Sequence, residues 1–569
     1  MLSREVGYVR KPHENRLRIA LAFPNTYFVG MSNLGFQTIY RLFNDQPHIV
    51  CERVFLPPKQ ELQSLIESGA RIVTLESQTP VSDFDVFAFS VSFEWDYTNV
   101  LTLLRLAGLP LRAADRTADH PLILVGGAVT FVNPEPLALF ADVIAAGEGE
   151  TLVPSLIEVA QSSGSRPELL RGLATRRGFY IPAFYDVEYA ADGTIVRYVP
   201  QEGTGAPAVV KKAALKTTDA VDPPSTTIFT PDTEFGSRFL IEVVRGCANL
   251  CRFCWAGYNY LPVRAFPTDR ILELAKNARE HSARTGLVSI ALCDHPDIEH
   301  ILRSLKDMGY TISPASLRLD DLTPTIVSLL RESGERTLTI APETGSDRLR
   351  RVINKTITND EILDRAELIF SSGFENLKLY YMIGLPSETD EDLVAIRDLT
   401  LQIRDIMMRH AKARGRVGRI IGSVNPLVPK PGTTYQWMAM EQSDIIEQRM
   451  KRLRALVSDI DNVYFNIKSE RHSYYQALLS LGDRRVAPAI EAAERNGGQW
   501  RRAVQESGVD GDFYIFRERS QDAMLPWDII DGGMKASFFR SELEKSSRAE
   551  WTLPAKRAKD NARLFPVLS

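Results

Sequence analysis

The sequence predicts an α/β protein in three parts: an N-terminal doubly wound sheet, a central run of six βα units, and a mostly helical C-terminal extension. Three observations lead there. Short apolar runs alternate with helical periodicity over residues 17–160, and again over 238–425. A stretch rich in Gly, Pro, Thr and Lys, Gln201 to Pro231, separates the two. Beyond about Pro431 the pattern turns helical, with no repeat of fixed period. The boundaries read as 1–160, a connecting hairpin and linker over 161–236, 237–435, and 436–569, as a chain of 569 residues allows.

In the first part, Leu17–Phe23 is an apolar run closed by Pro24-Asn25, and helical spacing follows over 34–43. Phe84–Ser92, Pro121–Val125 and Ala141–Ala146 read as further buried strands. The last two run into Gly126-Gly127 and Gly147-Glu-Gly-Glu150. Thr98–Leu106 and Thr151–Ala160 have helical spacing. Val187–Tyr198 forms a hairpin around Asp192-Gly193. In the second part the strands are Phe239–Val244, Leu287–Leu292, Thr311–Leu317, Thr337–Ala341, Asn376–Ile383 and Arg419–Asn425. Helices fall between them, so the carboxyl ends of the strands form the functional face of a (β/α)6 partial barrel.

Hydrophobic residues make up 44% and charged residues 25%, and the net charge is −4. Nothing in that balance indicates a nucleic-acid partner. No apolar leader and no apolar run of membrane-spanning length is present, so the expected location is the cytoplasm, with no membrane partner. Five cysteines, Cys51, Cys247, Cys251, Cys254 and Cys293, are too few for a disulfide framework.

Three of the five stand within eight residues, Arg245-Gly-Cys-Ala-Asn-Leu-Cys-Arg-Phe-Cys254, directly after a strand. Three thiolates on one loop can hold three irons of a cubane [4Fe–4S] cluster and leave the fourth open. A zinc site would close with four ligands in paired spacings, and the nearest further Cys or His is His281. Three core cysteines would have no reason to share a loop. Cys293 reads as a buried small residue and His295 as a loop hydrogen-bonder. Arg245 reads equally as a cluster or ligand contact and as a structural clamp.

The spacing C-x3-C-x2-C with Phe253 before its last cysteine resembles the signature of the radical S-adenosylmethionine (SAM) superfamily. Thr339-Ile-Ala-Pro-Glu-Thr-Gly-Ser346 resembles the family's fourth-strand segment, which gives Glu343 the role of approaching the SAM ribose. Leu379-Tyr-Tyr-Met-Ile-Gly-Leu-Pro-Ser-Glu-Thr-Asp390 resembles the fifth-strand segment that passes the adenine, which brings in Gly384. Ser423–Gly432 resembles the sixth strand and its exit. The Gly-Gly-Glu expected after the second strand is replaced by Ala291-Leu-Cys-Asp-His-Pro296, where Asp294 is the substitute for the acidic group. Tyr380 and Tyr258 are the candidate catalytic residues, with core packing the alternative for tyrosines so placed.

Residues 17–160 resemble the Rossmann-like cobalamin-binding domain that precedes many radical SAM barrels. Phe23–Gly35, Phe89–Ser92, Val125–Gly127 and Gly147–Glu150 carry the likeness. They lie at the carboxyl ends of parallel strands, where such sheets bind ligands. Tyr27, Gly30, Ser90, Ser92, Gly126, Gly127, Gly147, Glu148 and Gly149 are the candidate cofactor contacts. No histidine lies between His13 and His48, so cobalamin bound here lacks a histidine lower ligand. The alternative is a flavodoxin-like domain without cofactor that docks an RNA or protein substrate. Tyr474–Arg485 and Leu525–Gly533 resemble the tail of a widespread, largely uncharacterised group of these proteins. Members often end in a cysteine cluster, whereas Leu553–Arg563 has no cysteine and reads as a solvated basic tail. The resemblance implies a [4Fe–4S] cluster, SAM, cobalamin, an electron donor such as flavodoxin or ferredoxin, and methyl transfer to an unreactive carbon. The runner-up is a non-methylating radical SAM enzyme, forming a ring, oxidising or methylthiolating.

Overall fold

The computed structural model describes residues 1–314, 317–319 and 322–554. The first sheet contains β1 (Leu17–Phe23), β2 (Ile49–Phe55), β3 (Val86–Ser90), β4 (Leu122–Gly126), β5 (Val143–Ala145) and β6 (Phe179–Tyr180), in the order β2-β1-β3-β4-β5-β6. The strands from β1 to β5 pair in parallel, and β6 is antiparallel to β5. Both faces are covered, which is why these strands read as continuous apolar runs. Ile19, Leu21, Ala88, Leu124 and Ala145 pack under the helices Leu34–Asn44 and Gly149–Ser162. Ala20, Phe87, Phe89 and Ile123 share a core with the helix Tyr97–Leu106 and with the C-terminal helix Ala487–Arg495.

Two sequence expectations change here. β2 was not foreseen, because Glu52-Arg53 interrupts its apolar run. Both side chains are buried: Arg53 pairs with Glu5 and Glu76 at 2.6 Å each, and Glu52 with His13 at 2.8 Å. The stretch expected to be a connecting hairpin and linker is also more ordered than its composition suggests. The sheet continues past residue 160 into β6, and the hairpin follows as β7 (Tyr185–Tyr189) and β8 (Ile195–Pro200). Then β9 (Val210–Lys211) pairs with a C-terminal strand, and Lys212 and Ala213 are buried.

The second part holds β10 (Phe239–Arg245), β11 (Arg264–Ala265), β12 (Arg284–Ser289) and β13 (Thr311–Pro314) in one sheet, ordered β11-β10-β12-β13. A second sheet holds β14 (Thr337–Glu343), β15 (Asn376–Ile383), β16 (Ile420–Pro426) and β17 (Val463–Ile467), all parallel. Apart from the short antiparallel β11, these are the strands of successive βα units, and both sheets contribute to one apolar core, as arcs of one partial barrel. β17 adds a seventh parallel strand beyond residue 435. β12 begins three residues earlier than its apolar run suggested, and residues 315–316 of the expected third strand lie outside the described residues.

Beyond β17 the described residues are helical, apart from β18 (Ile530–Asp531), the partner of β9. Its helix Ala487–Arg495 docks on the first part through Arg105–Glu494 and Arg112–Glu491 at 2.7 and 2.8 Å. The basic tail beyond residue 554 lies outside the described residues. Among the described residues no helix is long and apolar enough to cross a membrane.

Removing Arg53 would leave Glu5 and Glu76 buried without a counter-charge. Arg53→Met is expected to cost about 3–5 kcal/mol in urea unfolding. A loss under about 1 kcal/mol, the size of an exposed pair, would contradict this.

Candidate functional site

β10 ends at Arg245, and the chain turns through Gly246 at φ +94°, where a Cβ would stand 2.5 Å from the Tyr260 carbonyl oxygen. Only glycine turns there, and the turn delivers Cys247 to the carboxyl end of the strand. Cys247 is buried, and Cys251 and Cys254 are half-buried. The Cys254 Sγ accepts the Gly257 N–H at 3.4 Å, capping the helix Trp255–Asn259. The loop is fastened from behind. Arg252 is fully buried, donates to the Arg351, Val352 and Glu550 carbonyls and pairs with Glu542 at 3.0 Å. The Asn354 amide donates to the carbonyls of Asn249 and Leu250. Phe253 packs against the cluster of Leu349, Leu385, Leu427 and Tyr435.

Two cations face the triad, each paired with an acid the sequence singled out. Arg318 forks onto Asp294 at 2.8 and 3.1 Å, with its Nη1 3.6 Å from the Cys247 Sγ. The Lys355 Nζ lies 3.2 Å from Glu343 Oε1. Burial pushes the thiols of Cys251 and Cys254 up, Cys254 to about 11, while Lys355 pulls both down. Burial likewise raises the Glu343 carboxyl against the pull of Lys355. Glu343 sits at φ +66°, beside a register shift in the pairing of β14 with β15, a strained position for a side chain of its kind. Fixed positive charge beside thiols favours the thiolate, the form that ligates metal. Among the described residues no three of His, Cys, Asp and Glu converge as a single-ion site, so the triad's case rests on its spacing and shared loop. Three buried polar atoms beside the triad and Glu343 have no partner: Asn249 Oδ1, Trp255 Nε1 and Thr344 Oγ1. Orphans of this kind suit a site that receives a polar ligand.

A cavity of about 530 Å³ opens between the first sheet and the barrel. Its far wall is the end of β10 and β12: Val244, Arg245, Gly246, Ser289 and Ile290. Its near rim is Ser90, Ser92, Gly126, Gly127, Gly147, Glu148 and Gly149, all of them predicted. From this rim an apolar slot runs down between the sheet and two helices, past Leu21, Ala88, Leu124, Thr38 and Leu152. Gly127 and Gly147 have positive φ, and a Cβ on them would come within 2.3 Å of the Val91 and 2.1 Å of the Ala213 carbonyl oxygens.

Other predicted residues are placed differently. Tyr27 and Gly30 do not line the cavity: the Tyr27 hydroxyl bonds Glu5, and Gly30 is packed against Phe55 and Phe23. The Glu148 carboxylate is occupied by Arg264 at 2.7 and 2.8 Å and by the Leu215 N–H, so it braces the wall. Tyr258 is buried, with its hydroxyl on the Leu250 carbonyl at 3.0 Å, and braces the cysteine loop. Tyr380 lies half-buried with the Lys378 ammonium 5.0 Å from its ring centroid. The Gly384 N–H donates to Glu388 at 2.7 Å. Sequence reasoning missed Arg318 and Lys355, whose partners are remote in sequence, and no local spacing marks them.

Comparison with known proteins adds the following. Residues 35–182 match the N-terminal domain family of radical SAM proteins, and residues 241–400 match the radical SAM superfamily. The uncharacterised protein MJ0966 of Methanocaldococcus jannaschii is 26% identical over 480 residues, covering 83% of this chain and 90% of that protein. The heme chaperone HemW of Bacillus subtilis is 26% identical over 166 residues, 25% of this chain and 41% of that one. Among solved structures, TsrM of Kitasatospora setae, a radical SAM methyltransferase with cobalamin and a [4Fe–4S] cluster bound, superposes with a TM-score of 0.52 at 11% identity. That match covers 87% of this chain and 99% of TsrM, and is a likeness of fold.

The Lys355–Glu343 pair should show as coupling. Lys355→Met is expected to cost about 3–5 kcal/mol in urea unfolding by stranding a buried carboxylate. Adding Glu343→Gln should recover most of that loss, whereas strictly additive effects would show that the pair does not interact.

Proposed function

The chain belongs to the radical SAM superfamily, and we propose that it is a cobalamin-dependent methyltransferase acting on an unactivated carbon. The observation that carries this reading is one continuous cavity, which runs from an apolar slot in the first domain to the turn that presents Cys247. When bound, a [4Fe–4S] cluster on Cys247, Cys251 and Cys254 supplies an electron to SAM, and cobalamin supplies a transferable methyl group. The residues present fit both. Three thiols on one pinned loop leave one iron open, and the unpartnered Asn249, Trp255 and Thr344 atoms offer SAM polar contacts. The glycine rim admits a flat macrocycle close to the backbone, and the slot offers apolar walls to the aromatic base of its nucleotide tail.

Within this reading the chain's own groups bind, orient and shield. Glu343 meets the SAM ribose and is held in place by Lys355. Gly384 leaves room for the adenine. Asp294, held by Arg318, stands at the edge of the triad in place of the family's acidic group. The apolar cavity walls exclude water from the reacting centre. The electron comes from a one-electron donor such as a flavodoxin or ferredoxin. Thiols of this kind suit the reducing cytoplasm. The fold likeness to TsrM supports the same assignment.

Anaerobic reconstitution with iron, sulfide and hydroxocobalamin tests it. Wild type should retain both groups after desalting and move labelled methyl from SAM to product. The Cys247/Cys251/Cys254→Ala variant should hold no cluster iron. Ala88→Trp, which fills the slot, should lose corrin but keep iron. Corrin lost from wild type, or SAM cleaved without methyl transfer, would overturn the methyltransferase reading in favour of a non-methylating enzyme.

A further inference from the structure

A second cavity, of about 300 Å³, lies between the β7–β8 hairpin and the C-terminal helices, away from the cofactor cavity. Arg485, Arg517 and Arg519 all line it. Arg485 is accounted for: it forks onto Asp483 at 2.6 and 3.0 Å, and Asp483 also accepts the Tyr514 hydroxyl at 3.0 Å. The other two are not. Arg517 stacks on Phe513, 3.9 Å from the ring centroid, and its side chain donates no hydrogen bond and makes no ion pair among the described residues. Its Nε is buried without a partner. Arg519 is 9% exposed. Its guanidinium reaches only backbone carbonyls, those of Met438 at 3.1 Å, Arg517 at 3.5 Å and Tyr514, and no carboxylate among the described residues. Of the remaining acids on the wall, Glu518 is exposed, and Asp192, which accepts the N–H and hydroxyl of Thr194, attracts Arg517 through space but forms no ion pair with it.

Two neighbouring guanidiniums, one of them nine-tenths buried, thus line a cavity with no carboxylate in contact with either among the described residues. Buried charge is costly unless paired. Planar guanidinium donors match the spacing of carboxylate and phosphate oxygens. Burial, and the neighbouring charge of Arg517, hold Arg519 down to about 10, in keeping with a cation short of negative charge. We propose that this cavity is an oxyanion-binding site, in which Arg517 and Arg519 grip a phosphate or carboxylate group of a small ligand. Phe513 orients the Arg517 guanidinium by stacking.

Calorimetric titration of the full-length protein with inorganic phosphate and with acetate, each against sodium chloride at matched ionic strength, tests this. Saturable one-site binding of either anion is expected, and the one that binds identifies the ligand group as phosphoryl or carboxylate. Arg519→Met should weaken it at least tenfold. Arg517→Gln, which removes no hydrogen bond of the fold, should weaken it likewise and decides the matter if the Arg519 variant does not fold. Binding of neither anion, or equal binding by wild type and Arg517→Gln, would overturn the proposal.

Discussion

Arg245 is the tie on which the arrangement of this molecule depends. It ends β10, two residues before the first cysteine of the triad, and its guanidinium meets Glu242 at 2.7 Å, Glu150 at 2.8 Å and Glu148 at 3.4 Å. Arg264, the partner of Arg245 in the β10–β11 pairing, reaches Glu148 at 2.7 Å. Glu148 and Glu150 belong to the rim loop of the first domain, so the network joins that rim to the strand that launches the cysteine loop. Three carboxylates so close, Glu148 buried and the other two half-buried, would repel one another; the two guanidiniums turn that repulsion into attachment. The cavity exists because this tie sets its near rim opposite its far wall.

The C-terminal extension acts on the same geometry from the other side. Glu542 holds Arg252 in the cysteine loop, and the Thr552 N–H donates to Asn354 at 2.8 Å, the residue whose amide binds the loop carbonyls. Helices of the same extension cover the outer face of the first sheet. The three parts therefore pack as a single unit, in line with a relative that aligns across 83% of the chain.

Much of this was legible in the residues themselves. β1 and β15 match their expected spans residue for residue, β1 because its run from Ile19 is continuously apolar and buried, β15 because an apolar residue falls on every second position and is buried there. The glycines of the rim were legible because a close backbone approach needs glycine whatever surrounds it. β2 was not, since Arg53 is buried only by virtue of Glu5 and Glu76, which are remote in sequence. The same limit applies to Tyr27, Tyr258 and Glu148. Each has the right chemistry in the right segment, yet each is committed to a partner that no local pattern announces. Lys355 and Arg318 show the converse, carrying no motif but standing beside the cysteines.

The central claim is that one cavity brings corrin and cluster together. Electron paramagnetic resonance of protein reconstituted with both groups, with the cluster reduced and cobalt as Co(II), measures this directly. The account predicts that the cobalt signal is broadened by dipolar coupling to the cluster. A spectrum equal to the sum of the two groups recorded separately would contradict it.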